Sequence, residues 1–114
     1  MANTFKLVTK AGVTTIDTIY TPNAVTTVIL GLILGNTTSS QITATVTLNS
    51  STSNRTNDND ESNENVELLT DAPIPAGSSL ELLSGNKVVM EDNDALSVTA
   101  TGSTDVALSI MEIS

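Results

Sequence analysis

Residues 41–49 read QITATVTLN, and from Ile42 to Leu48 apolar side chains alternate with threonine at every step. An alternation with a period of two is typical of a β-strand that has one buried face and one solvated face. Threonine suits such a strand because its β-branched side chain packs well on a pleated surface. The run therefore predicts a strand whose Ile42, Ala44, Val46 and Leu48 side chains point toward a core.

The same period recurs in the C-terminal part of the chain. The apolar side chains on one face of these two predicted strands are Leu96, Val98 and Ala100 in the first, and Val106, Leu108 and Ile110 in the second. No window of about 12 residues keeps the spacing of an amphipathic helix. The sequence predicts an all-β fold, a small β-sandwich or jelly roll with about eight or nine short antiparallel strands.

Turn residues separate the predicted strands. Lys10-Ala11-Gly12 predicts a hairpin loop between a strand at residues 4–9 and a strand that begins at Val13. Ser84-Gly85-Asn86 predicts a second, tight hairpin. The run from Glu91 to Asp94 predicts a turn in which Asn93 takes a positive φ, since Asn tolerates the left-handed region.

The length of 114 residues predicts a single β-sandwich domain at residues 1–114, or a subunit that completes its core with neighbours. Residues 50–65 read SSTSNRTNDNDESNEN and contain no apolar side chain. We expect an exposed acidic loop there. Its spacing from Asp58 does not match an EF-hand, because the required Gly and Glu positions hold Asn63 and Leu69. The favoured interpretation is a solvated loop and no metal site, with a looser cation site as the alternative.

The composition argues against an enzymatic function. The chain has no His, Cys or Trp, one Tyr and one Phe. It therefore lacks disulfides, thiolate ligands and the commonest general base. We predict that it is not an enzyme and has no catalytic residue and no cofactor.

The charge argues against two classes of partner. The net charge is −9, whereas nucleic acids and anionic membranes are bound by clustered Lys and Arg, so we predict neither as a partner. The apolar run at residues 24–34 is about half the length of a membrane helix. The first residues, MANTFKLVTK, lack the apolar core of a secretory signal.

The charge is also unevenly distributed. Residues 1–54 carry Lys6, Lys10 and Asp17, a net charge of +1, whereas residues 55–114 carry −10. Few charges need to lose water when the first half is buried against another protein. A partner surface is therefore expected on the near-neutral, threonine-rich strands.

Several strands place apolar residues on both faces. In residues 28–34, Val28, Leu30, Leu32 and Leu34 alternate with Ile29 and Ile33. Either loops cover the second face, or it packs against another subunit. Leaving these apolar side chains in water would cost a few kcal/mol of stability, and contact with another subunit avoids that cost. The second interpretation predicts a homo-oligomer. The candidate assembly residues are Val28, Ile29, Ile33, Leu69, Leu83 and Val89. Phe5 and Tyr20 are predicted to anchor the core.

Residues 71–98, DAPIPAGSSLELLSGNKVVMEDNDALSV, and the terminal DVALSIMEIS resemble short virion structural proteins of tailed bacteriophages, especially cyanophages. KAGVTTIDTIYT and VILGLILGNTT in the first half are similar to the same group. Its chains carry a P-x-G-x-[ST]-L turn, then G-x-K-[IV]-x-L, an acidic Gly-Asp turn and a final Asp-Val-x-x-S strand. This sequence departs from the pattern at Asn93, where the group usually has Gly.

The resemblance implies a small β-sandwich on the virion and carries over no catalytic residue. It implies a capsid decoration or cement protein that stabilises the shell, a homo-oligomer partnered by the major capsid protein and assembled in the host cytoplasm. A neck, tail or baseplate component is the first alternative. A host-receptor or carbohydrate-binding module is the second, although the near absence of aromatic side chains weighs against it.

Overall fold

The computed structural model describes residues 3–23, 25–50, 65–83, 87–91 and 93–113, and these form nine strands and no helix. The strands are β1 (Asn3–Val13), β2 (Asp17–Tyr20), β3 (Thr26–Asn36), β4 (Ile42–Asn49), β5 (Asn65–Ile74), β6 (Ser79–Leu82), β7 (Val88–Met90), β8 (Ala95–Ala100) and β9 (Thr104–Ile113). The predicted all-β fold is confirmed. Within the described ranges, no helix is long and apolar enough to cross a membrane.

The strands form two antiparallel sheets, as expected for a small β-sandwich. Sheet A has the order β1-β9-β3-β6, and β7 also pairs with β3. Sheet B has the order β2-β8-β4-β5. The central strands of sheet A are therefore β9 and β3, and those of sheet B are β8 and β4.

The chain crosses from sheet A to sheet B between β1 and β2, so the predicted hairpin at Lys10-Ala11-Gly12 was wrong. β1 pairs with β9 as far as Val13, and its register shifts between Lys10 and Val13. Gly12 has a φ of 70° within this irregularity. A bulge and a hairpin loop both use glycine at positive φ, so the local sequence did not distinguish them.

The core lies between the sheets and follows the alternation predicted from the sequence. Ile42, Ala44 and Val46 of β4 are buried, and Leu48 packs against the same cluster. The other buried apolar side chains are Val13, Ile19, Ile29, Leu32, Leu34, Ile74, Met90, Leu96, Val98, Ala100, Val106, Leu108 and Ile110. Their burial supplies the main free energy that favours folding.

A bulge in β3 changes which side chains of that strand face the core. Ile29 lies opposite Ile110 and Gly31 opposite Ser109, so Leu30 is the extra residue. Ile29 is 0% exposed, and the prediction that it lies on an outward face with Ile33 was wrong. An extra residue reverses the inward and outward positions that follow it, which a strict period of two does not anticipate.

The buried amide of Asn36 connects the end of β3 to the chain segment that leaves β5. Its Nδ2 atom donates to the carbonyl oxygens of Ser40 at 2.8 Å and Ile74 at 2.9 Å. Its Oδ1 atom accepts from the backbone N–H of Thr38 at 2.8 Å. The donor and the acceptor of the amide are both hydrogen-bonded. These bonds compensate the free-energy cost of removing the polar group from water.

Asn93 has a φ of 77°, which confirms the predicted turn geometry at this residue. Of the predicted acidic loop at 50–65, only Ser50 and Asn65 belong to the described residues. The predicted Ser84-Gly85-Asn86 hairpin also lies outside them.

Candidate assembly interface

The six candidate assembly residues fall in three different places. Val28, Ile33 and Val89 belong to the outer face of sheet A, where Ile33 is 46% and Val89 54% exposed. Leu69 is half-buried in β5 of sheet B, and the half-buried Leu83 follows β6; both pack against the core. With Ile29 in the core, three of the six share one surface.

Strand register builds that surface from rows of directly opposed residues, which share one face of an antiparallel sheet. The first row is Phe5, Met111, Val28 and Val89 on β1, β9, β3 and β7. The second is Leu7, Ser109 and Gly31, and the third is Thr9, Ala107, Ile33 and Glu81. We call these three rows the apolar face of sheet A.

Phe5 and Leu7 are the most exposed apolar side chains of this face, at 71% and 66%. The prediction that Phe5 anchors the core was wrong, because Lys6 and Val8 occupy the inward positions of β1. Val8 packs against the core, and Lys6 lies opposite the buried Ile110. The alternation of Phe5 and Leu7 with Lys6 and Val8 was the available signal, but it did not say which face turns inward.

A groove of about 390 Å³ opens at the third row of the apolar face. Its lining includes Thr9, Ala11, Ile33, Gly35, Asp105 and Ala107. Small side chains at Ala11, Gly35 and Ala107 leave this depression beside Ile33. The opposite end of the face carries the larger side chains of Phe5, Met111 and Val28, so the face is bulky at one end and hollow at the other.

Charged groups lie at the edges of the apolar face. Glu81 on β6 is the last residue of the third row. Asp105 lies beyond that row on β9, and its Oδ1 atom accepts a hydrogen bond from the backbone N–H of Gly12 at 3.0 Å. Lys10 lines the groove, and its Nζ atom lies 3.5 Å from Asp17 Oδ1. The first two rows contain no ionisable side chain. A partner can cover them without removing a charge from water.

The outer face of sheet B is chemically different. β4 presents Thr43, Thr45 and Thr47 there, because the alternate residues of that strand are in the core. Thr99 lies opposite Thr45, and Ser97 lies opposite Thr47. The threonines that alternate with apolar residues in the sequence of β4 thus form this hydroxyl-rich face, whereas the exposed apolar side chains lie on the apolar face of sheet A.

A polar cluster connects the two sheets at one end of the sandwich. Tyr20 in sheet B donates its hydroxyl hydrogen to Glu112 Oε2 in sheet A at 2.6 Å, and Thr27 Oγ1 lies 2.8 Å from the same hydroxyl oxygen. Lys6 Nζ lies 2.8 Å from Glu112 Oε1. Burial, followed by the hydrogen bond to Glu112, raises the pKa of Tyr20 to about 12. The bonds from Lys6 and then Tyr20 lower the pKa of Glu112.

Among the described residues, no group of three or more acidic side chains is placed to hold a metal ion. The acidic run from Asp58 to Glu64, where a loose cation site was the alternative, lies outside those residues.

Comparison with known proteins returned no relative. No family model, no curated protein and no solved structure matches this chain.

Proposed function

We propose that this chain is a non-enzymatic structural subunit of a bacteriophage virion, a decoration or cement protein that stabilises the capsid shell. The observation that carries the proposal is the apolar face of sheet A. Phe5, Leu7, Ile33 and Val89 leave hydrocarbon in water there, and at about 25 cal/mol per Å² the exposure forfeits a few kcal/mol. A subunit built into a larger assembly recovers this free energy by contact with its neighbours.

The resemblance supplies the kind of assembly. The DAPIPAGSSLEL and DVALSIMEIS segments that carry it contribute to β5, β6 and β9. Asn93 holds a positive φ at the position where the resembled chains usually have Gly, so the departure is compatible with the same turn. These features support a shared architecture and add no catalytic group.

Two broad surfaces are available for assembly. The apolar face of sheet A suits contact with a small subunit of the same kind. The hydroxyl-rich outer face of sheet B suits the major capsid protein, because the threonines of β4 lie there beside Thr99 of β8. The carboxylates of Glu67 and Asp71 flank these threonines on the edge strand β5. Hydroxyl groups exchange hydrogen bonds with water for hydrogen bonds with a partner at small net cost.

The test is the stoichiometry and thermal stability of particles. Purified virions are analysed by quantitative gel, and shells lacking this protein are heated with and without purified wild-type chain. A cement role predicts a copy number comparable with that of the major capsid protein and a higher rupture temperature after addition. A copy number near that of ring-forming neck proteins, with an unchanged rupture temperature, would instead identify a neck or tail component. Absence from virions would refute the proposal.

A further inference from the structure

The two ends of the apolar face complement each other in shape. Counting from the middle row of Leu7, Ser109 and Gly31, one row away lie Phe5, Met111 and Val28, and one row away on the other side lie Thr9, Ala107 and Ile33. On β1, Phe5 at one end of the face is matched by the shorter Thr9 at the other end. On β9, Met111 is matched in the same way by the shorter Ala107. The groove lies at the second of these ends, and the most exposed aromatic ring lies at the first.

We propose that the apolar face packs against the same face of a second copy, around a two-fold axis that crosses the strands at the level of Leu7, Ser109 and Gly31. The inference rests on the proposed structural role and names the neighbour that covers this face. The rotation reverses strand direction and places each strand over its own copy. Phe5 then enters the partner's groove beside Thr9, Met111 covers Ala107, and Val28 covers Ile33.

Step lengths along the strands agree with this arrangement. Phe5 and Thr9 are four residues apart, or ~13 Å, with Leu7 midway between them. One rotation therefore fills both grooves at once, as an isologous interface requires. At the axis, Ser109 and Gly31 are small, and a Cβ added at Gly31 would meet no atom within 4 Å. On the edge strand β1, Leu7 packs against Leu7 of the second copy.

Charge and area set the strength of this contact. A net charge of −9 makes two chains repel each other, but the row at the axis carries no ionisable side chain, and Glu81, Lys10 and Asp105 lie toward the ends of the face. Glu81 lies at the rim, where its carboxylate reaches water. Four strands spaced ~4.8 Å apart and about seven residues long cover ~440 Å² per copy. Two copies thus bury roughly 900 Å², which is below the ~1,200 Å² of stable specific interfaces and corresponds to a weak, reversible dimer.

The first measurement is the mass of the wild-type chain by sedimentation, from about 1 µM to about 1 mM at physiological salt, where exposed charges are screened beyond ~8 Å. We expect a reversible transition from the 11.8 kDa of one chain to twice that mass. A mass that stays at one chain throughout, or rises to a trimer, would overturn the two-fold inference.

A residue exchange tests the axis itself. Phe5→Thr removes the ring, and Thr9→Phe puts a ring where the partner's ring must fit, so each variant alone should shift the dissociation midpoint at least tenfold. The double variant restores one ring opposite one threonine and should recover most of the affinity. Both positions are exposed, so all three variants should unfold like wild type. Failure of the double variant to recover affinity would refute this axis.

Cross-linking gives an independent readout, because the chain has no cysteine. Leu7→Cys places two thiols near the axis, and a bifunctional thiol reagent that spans the ~10 Å between packed sheets should join them. Thr99→Cys, on the outer face of sheet B, is the matched control and should not cross-link. Equal cross-linking of both variants would exclude the proposed face.

The virion experiment separates this inference from the proposed function. A chain abundant in virions yet monomeric in solution would retain the structural role and lose the self-packing, which would then point to the shell protein as the occupant. A dimer that is absent from virions would retain the self-packing and lose the virion role.

Discussion

The hydroxyl of Tyr20 donates a hydrogen bond of 2.6 Å to the carboxylate of Glu112, and this bond joins sheet B to sheet A. Because Tyr20 donates to Glu112, its oxygen is left to accept from Thr27 at 2.8 Å. Lys6 occupies the second carboxylate oxygen. One cluster therefore connects the consecutive strands β1, β2 and β3 to β9 at the other end of the chain.

Removal of the Tyr20 hydroxyl should lower the free energy of unfolding. Tyr20→Phe keeps the ring against the core but deprives Glu112 and Thr27 of their shared partner. We expect a loss of about 1–2 kcal/mol, since hydrogen bonds to charged groups are worth more than neutral ones. Urea denaturation followed by circular dichroism measures it, with Thr15→Val, which removes an exposed hydroxyl, as the control. Equal stability of Tyr20→Phe and wild type would contradict a stabilising role for the bond.

The pKa of Tyr20 predicts a loss of stability in alkali. Its folded pKa of about 12 exceeds the ordinary value of 10.0, so its contribution is complete below pH 10 and disappears as pH rises toward 12. The chain has one Tyr and no Trp, so the absorbance of tyrosinate reports this residue alone. We expect its titration midpoint to fall to the ordinary value in strong denaturant. A native midpoint near 10 would show that Tyr20 is not bonded as described.

Ile29 and Ile33 should respond very differently to truncation. Ile29→Ala empties a fully buried site and should cost about 2–5 kcal/mol. Ile33→Ala removes an outward side chain and should change the unfolding free energy of the monomer by less than about 1 kcal/mol. The two variants are matched in chemistry, so denaturant unfolding at low protein concentration compares them directly. Similar losses at both positions would contradict the bulge in β3.

Asn93 should tolerate glycine better than alanine. At its φ of 77°, a Cβ is strained, and Asn offsets part of that strain through its short polar side chain. We expect Asn93→Gly to be close to neutral or slightly stabilising and Asn93→Ala to cost about 1 kcal/mol. Thermal unfolding of the two variants beside wild type provides the measurement. A more stable Ala variant would show that the turn does not require a positive φ.

Local pattern predicted the strands where alternation is strict. β4 and β9 were predicted with their inward faces correct, because each residue of a regular strand takes its face from its neighbour. The pattern failed at Lys10–Gly12 and at Leu30, where bulges change the count. A bulge depends on the partner strand as much as on its own residues.

The candidate interface was only partly predictable for the same reason. Val28, Ile33 and Val89 were identified from apolar residues that a single buried face could not accommodate. Phe5 and Leu7 were missed, because an apolar side chain on an edge strand has the same sequence signature whether it faces inward or outward.

The sequence by itself determined an all-β chain, its alternating core positions and its lack of His, Cys and Trp, because these follow from composition and from neighbours along the chain. The tertiary structure alone decided that β1 pairs with β9, that Ile29 is buried and that Phe5, Met111 and Val28 form one row. Strand pairing joins residues far apart in sequence, and its register is chosen by the total burial of both sheets. The apolar face is a product of that pairing.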